Sequence, residues 1–314
     1  MLITECLWIC NSGKIPVSLA LEVKELTIKS RKKNKSNLWY GVIPLYLFTL
    51  TFVCGPLIYM LVLSFLSRAE VWGVEKVFTL SNYIKIFEPV YFNTFIESLK
   101  LALLTTAITL LVGYPFGYFM AKLSSRGKKV MMLLVIVPFW TNALIRMYGW
   151  IIIFRSNGLL DKLLMGLGLT DKPLKLLYSF PAVLVGMVYA LLPFMILAIY
   201  SVSEKLDWSL VEAARDLGAT RLQAFLTITI KLTLPGILSG VVLVFIPSMG
   251  LFFIADILGG GKFMLVGNLI RDQVITTRNW PFASALSVLL MILTSLIIWI
   301  YRRVTHVKDL EGLV

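Results

Sequence analysis

The side chains able to do covalent or metal chemistry are few, and their spacing argues against an enzyme. The chain of 314 residues has one histidine, His306, and three cysteines, Cys6, Cys10 and Cys54. One Cys-x-x-x-Cys pair with no further thiol or imidazole nearby does not complete a tetrahedral metal site. A lone histidine beyond the last apolar run has no companion for proton transfer. The chain also lacks a Gly-x-x-x-x-Gly-Lys-Ser/Thr phosphate loop, so it does not hold nucleotide in the usual way. The expectation is a chain with no catalytic residue, no metal and no cofactor of its own.

What remains are charged and aromatic residues inside or beside apolar runs, where each charge asks for a reason. Asp256 is the best carboxylate for meeting an ammonium group, and its plainer reading is a solvated flank of a helix. Phe252 and Phe253 just before it either gate a path or pack. Trp140, Tyr148 and Trp150 offer ring faces worth about 0.5–2 kcal/mol to a cation, or anchor a helix at the membrane interface. Asn142 is an amide in an apolar stretch and needs a fixed partner. Arg146 reads as a structural charge, tied to carbonyls or to a carboxylate on a partner subunit, because an unpaired charge inside an apolar run is costly. Trp140, Asn142, Tyr148, Phe252 and Asp256 are therefore the candidate residues to line any path through the apolar runs.

The elements that must position these residues are set by composition. The chain is 58% hydrophobic and 15% charged, with a mean hydropathy of +0.85; soluble chains carry about 25% charged residues. Six runs are long enough to cross about 30 Å of hydrocarbon, which takes about 20 apolar residues. They cover roughly 39–66, 99–121, 130–154, 180–202, 235–255 and 282–301, all helical because lipid satisfies no backbone polar group. Gly113, Pro115, Gly117 and Pro138 interrupt the second and third, as tolerated kinks or as moving regions. The net charge of +13 does not form a phosphate-tracking face. Eighteen of the Lys and Arg residues lie before the first run, between the second and third, after the fourth and after the sixth, against ten in the other connections. The positive-inside bias then places both termini in the cytoplasm. Residues 1–38 read as a cytoplasmic extension, 39–301 as one six-helix membrane domain, and 302–314 as a cytoplasmic tail. The extension lacks the layout of a signal peptide and is expected to be disordered or a wrongly chosen start.

One polar segment, near 203–234, stands out between the fourth and fifth runs. Leu210, Ala213, Ala214 and Leu217 fall at helical spacing, with Glu212, Arg215 and Asp216 on the other side. Gly218 can close that helix from a left-handed C-cap. A second helical stretch, 221–230, is expected to lead back to the bilayer at Pro235. The segment is either a solvated connector or a docking helix whose small Ala213 and Ala214 admit a partner groove.

Glu212-Ala213-Ala214, three residues, Gly218, nine residues, and Ile228 resemble the EAA signature of bacterial ABC-importer permeases. Where that family has a proline after the Ile-x-Ile element, this chain has Lys231, with Leu234-Pro235-Gly236 just beyond. Val137 to Asn142, Leu144-Ile145-Arg146, Tyr148-Gly149, Leu191 to Met195, Asp256 to Gly260 and Asn279 to Phe282 are similar to the PotB-type family of spermidine/putrescine permeases. The resemblance implies an all-α membrane protein with six transmembrane helices and the MetI-like fold of type I ABC importers, in the bacterial inner membrane. It assigns ATPase coupling to Glu212, Ala213, Ala214, Gly218 and Ile228. It also implies two PotA-like ATPases that bind the ATP, a PotC-like second permease, a PotD-like periplasmic binding protein and a polyamine substrate. A permease for another small solute and an ion-driven secondary carrier are the rival readings.

Overall fold

The computed structural model describes residues 42–69, 73–170 and 172–305. The whole N-terminal extension with its basic run, Cys6, Cys10, His306 and the end of the tail lie outside those residues. The chain divides into two compact units, Met1–Met60 and Leu61–Val314.

Helix α1 (Val42–Ser64) is long and apolar enough to span and contains a π-turn at Leu50–Cys54. Leu45, Phe48, Phe52 and the free thiol of Cys54 are all exposed, which suits a lipid environment rather than water. After it comes an antiparallel hairpin, β1 (Leu66–Arg68) and β2 (Val74–Phe78), pairing Leu66 with Phe78 and Arg68 with Val74. The sequence reading did not foresee these strands; they are too short to show a period. Helix α2 (Ser81–Ile86) is tied to the hairpin by Asn82, whose amide donates to the carbonyls of Ser64 and Leu66 at 3.1 and 2.9 Å.

The centre of the second unit is three long helices, α3 (Pro89–Lys122), α7 (Phe180–Ser203) and α9 (Arg221–Gly250). They approach closely because glycines line the contacts. A Cβ added at Gly117 of α3 would sit 2.9 Å from the Ile196 carbonyl oxygen of α7, and one at Gly236 of α9 would sit 3.0 Å from that of Ala198. Without a hydrophobic force between helices in lipid, such backbone approach supplies the packing energy. Most buried hydroxyls of α3 are satisfied inside the helix: Thr94, Ser98, Thr106 and Thr109 each donate to the carbonyl four residues back, while the buried Thr105 hydroxyl has no partner among the described residues.

The expected third span, 130–154, is not continuous. Helix α4 (Ser125–Trp140) ends in a 3-10 turn, Val137–Trp140, set by Pro138, and α5 (Ala143–Phe154) restarts after Asn142. The two halves, Ser125–Trp140 and Ala143–Gly166, meet at 94°. Five helices and this broken pair make the six crossings. The fifth expected span, 235–255, also breaks: Leu251 leaves helical geometry, and α10 (Phe252–Gly259) is a separate short helix. Helix α11 (Val266–Ile275) and the last span, α12 (Trp280–Thr305), complete the fold. The inner faces of α5, α7 and α10 share one core around Met147, Phe154, Val183, Met187, Ile254 and Leu258.

The turn between α5 and α7 carries helix α6 (Leu159–Gly166), fixed by a residue the sequence did not flag. Asp161 is buried, and its two oxygens accept the N–H groups of Asn157 and Leu174 at 2.8 and 3.0 Å. Asn157 holds a left-handed φ of 58° at that point. Asp161→Ala is expected to cost about 2–3 kcal/mol, because it orphans two donors. Thermal unfolding in detergent checks this; an unchanged midpoint would show that water replaces the carboxylate.

Candidate functional site

The polar segment after α7 folds as its local sequence requires. Asp207 accepts the Ser209 N–H at 3.0 Å and opens α8 (Ser209–Asp216). Hydrogen bonds from Ser209, side chain and backbone, hold the Asp207 carboxyl below its ordinary range. Glu212 lies in the first turn, where a carboxylate favours the positive end of the helix. At the other end Gly218 has φ +93°, its N–H donates to the Arg215 carbonyl at 3.0 Å, and the Ala219 N–H reaches back to Ala214 at 3.0 Å. This is a glycine-terminated helix end in which the last carbonyls find donors. Thr220 then caps α9 in a reciprocal pair with Gln223.

The re-entry differs from the expectation. Residues 221–250 form one helix through Lys231 and Pro235, with a single π-turn at Phe225–Thr229 that contains Ile228. Pro235 does not end it. The π-turn absorbs one extra residue without breaking the backbone pairing.

No residue of α8 is buried. Glu212 and Ala213 are open to solvent, Ala214 is half-buried, and Leu217 is 90% exposed beside exposed Leu210 and Leu222. A charged helix that also displays several bare leucines fits a protein partner better than water alone. The segment lies on the same side as the basic connection between α3 and α4, because Lys128 of α4 donates to Glu204 at 3.2 Å. The Tyr200 hydroxyl and then Lys128 hold the Glu204 carboxyl below its usual value.

Asp256 is not a solvated end of the fifth span, nor a free carboxylate. It sits on α10 and faces α11, where Asn268 donates to Oδ1 at 2.6 Å and Arg271 pairs with Oδ2. Arg271 also grips Asp272 through Nη2 at 2.8 Å and Nε at 3.0 Å. Asp272, and with it Asp256, holds the guanidinium pKa above its ordinary value. The Phe252 ring lies 5.4 Å from the same guanidinium. Two carboxylates around one guanidinium leave the half-buried cluster one negative charge in excess. Asn268, Arg271 and Asp272 went unmarked in the sequence reading, although their i, i+3, i+4 spacing puts them on one helix face.

The other candidates lie around the break in the third span. Asn142 caps α5, its Oδ1 accepting the Leu144 N–H at 2.8 Å, so the amide's partner is local backbone. Trp140 and Tyr148 are exposed, at 79% and 59%. Arg146 finds neither a carbonyl nor a carboxylate among the described residues. Its guanidinium stacks over Phe139 at 4.8 Å and lies 5.8 Å from the Tyr189 ring, with a buried, unbonded Nε. Trp150 packs on Phe154 and Tyr189. Met147 of α5 packs in the same core as Ile254 of α10, so the Arg146 and Asp256 helices are mechanically joined.

Apolar crossings, one of them broken, and an exposed charged helix before the fifth describe a helical, multi-pass membrane protein. The model of the binding-protein-dependent transport system inner membrane component family matches residues 113–306. The chain belongs to that family: it is a multi-pass inner-membrane permease subunit of an ABC importer. It is 45% identical over 258 residues to the spermidine/putrescine transport system permease protein PotB of Escherichia coli K12, covering 82% of this chain and 94% of that relative. The PotB of Haemophilus influenzae is 44% identical over 252 residues, 80% of this chain and 88% of its own length. Among solved structures, a bacterial alginate ABC transporter in complex with an alginate-bound periplasmic protein contains a chain of the same fold. That chain aligns with a TM-score of 0.71 at 16% identity, over 87% of this chain and 95% of its own.

Proposed function

We propose that this permease carries polyamines of the spermidine/putrescine class inward, as half of a path shared with a second, PotC-like permease. Two PotA-like ATPases drive it through α8, and a PotD-like periplasmic protein delivers the substrate. The chain itself is non-catalytic and binds no ATP. Both termini are cytoplasmic, as the eighteen-to-ten distribution of basic residues favours. The observation that carries the substrate class is the 45% identity to PotB over 94% of its length. The excess negative charge around Asp256, Arg271 and Asp272, beside the Phe252 ring, agrees with a cationic substrate. Carboxylates and ring faces are the groups that recognise ammonium.

In the mechanism, nucleotide-driven closure of the ATPases moves Glu212, Ala213 and Ala214 in a partner cleft, Gly218 acts as the pivot, and Ile228 lies in the π-turn that receives the motion. The helices then rock between inward- and outward-open states. The test is uptake of labelled spermidine by cells whose own polyamine importers are deleted and which express the complete importer. Uptake is expected, with competition by putrescine and none by amino acids. Uptake of an amino acid or metal complex instead assigns another solute. Uptake by this chain alone, without ATPases, makes it an ion-driven carrier and removes the proposal.

A further inference from the structure

No side chain of α8 is fully buried and only Val211 and Ala214 are half-buried, so the helix has little packing of its own through which to pass on a displacement. One flank is packed. Trp208 is the residue before α8, and its carbonyl accepts the N–H groups of Val211 and Glu212 at 3.1 and 3.2 Å, so the indole and the first turn move as one body. The indole lies edge-on to Tyr118 of α3, with centroids 5.6 Å apart at 65°. Tyr118 meets Phe225 of α9 in the same manner, at 5.7 Å and 81°. One turn along α3, Tyr114 touches Phe225 at 5.9 Å, and its hydroxyl bonds to Thr233 of α9 at 3.0 Å. The Lys122 ammonium lies over both Tyr118 and Trp208, 4.3 and 4.7 Å from their centroids.

Edge-to-face ring contacts are directional and resist sliding. Phe225 opens the π-turn of α9, a geometry frequent at functional positions. Tyr118 follows Gly117, where the α3 backbone touches α7. A push on α8 therefore has a non-covalent route into α3 beside a close contact with α7, separate from the chain connections at 204–208 and 217–220.

We propose that Trp208, Tyr118 and Phe225, braced by Lys122, form the transmission block that couples movement of the ATPase-docking helix to the α3–α7–α9 bundle. They are positioning residues and touch neither substrate nor nucleotide. The proposal rests on α8 being the docking helix, and its test separates the two.

The complete importer is reconstituted in vesicles, and spermidine uptake and ATP hydrolysis are measured together. Trp208→Leu is expected to keep the ATPases bound and hydrolysing while transport per ATP falls about 5-fold or more, the lower range of ordinary coupling between sites. Tyr118→Leu gives the same loss, the double variant is no worse than either single, and Trp208→Phe restores the ratio. A wild-type ratio in an assembled Trp208→Leu or Tyr118→Leu importer overturns the proposal. So does a parallel loss of uptake, hydrolysis and assembly in both, since that is packing alone. Glu212→Ala in the same vesicles tests the docking reading by itself: if α8 docks nothing, that variant transports normally whatever Trp208 does.

Discussion

Replacing Glu212 with alanine and Gly218 with valine in one chain is expected to reduce spermidine uptake to background while leaving membrane insertion at wild-type level. The two sites act differently. Glu212 is a solvent-facing carboxylate in the first turn of a helix with no buried residue, so its loss removes a docking group and little stability. Gly218 has open space around it, so a side chain clashes with nothing. The conformation itself is the obstacle: at φ +93° a residue with a Cβ is strained by about 1–2 kcal/mol, and a β-branched one is at the upper end. The turn relaxes, the bonds from Gly218 to Arg215 and from Ala219 to Ala214 are lost, and α8 is re-aimed with respect to α9. Insertion is governed by the apolar spans, which neither change touches. Uptake assays paired with quantification of the chain in the membrane fraction decide the matter. Normal transport by the double variant would remove the docking role.

The polar helix α8 could be read from the sequence because everything that shapes it is local. The i, i+3, i+4 pattern of Leu210, Ala213, Ala214 and Leu217, the carboxylate in the first turn and the glycine at the end are all neighbours in the chain. The spans were legible for a similar reason: bilayer thickness sets a length that a run of apolar residues either meets or does not. The breaks were less so. Asn142 read as an amide needing a fixed partner; that partner is the Leu144 N–H of the helix it caps, and only the restart of a helix behind it makes the role visible. Gly250 and Pro247 stand just before the stop at Leu251, but both residue types are tolerated inside membrane helices, so they do not by themselves mark an end. The pairs that cross the fold were hidden altogether. Asp256 and Arg271 lie in different helices, Tyr118 and Trp208 are ninety positions apart, and periodicity reports which face a residue occupies, never what it meets.

That distinction decides how the Asp256 cluster is to be tested, because an ion pair joining two helices and a cation-binding group are both consistent with its contacts. Asp256→Asn keeps the size of the side chain and a hydrogen bond with Asn268, but it removes the excess negative charge. Asn268 still bonds residue 256 and donates to the Phe252 carbonyl, so α10 and α11 stay connected while Arg271 keeps Asp272 within α11. The stability cost is small: the groups are roughly one-third exposed, and surface-like pairs contribute about 0–1 kcal/mol. A desolvated ammonium loses more, since a charge-assisted hydrogen bond contributes about 1.5–3 kcal/mol. At 1.4 kcal/mol per decade, uptake is expected to fall about 10- to 100-fold, with the apparent KM rising and the chain still assembled. The exchange Asp256→Arg with Arg271→Asp separates the two roles. It restores the tie between α10 and α11 and the net charge, but it places a guanidinium where the substrate's ammonium should meet oxygen. The expected outcome is an assembled importer that still does not transport. Recovery of uptake in the exchanged variant would mean that the pair serves only as a brace, and that the polyamine meets its carboxylate elsewhere.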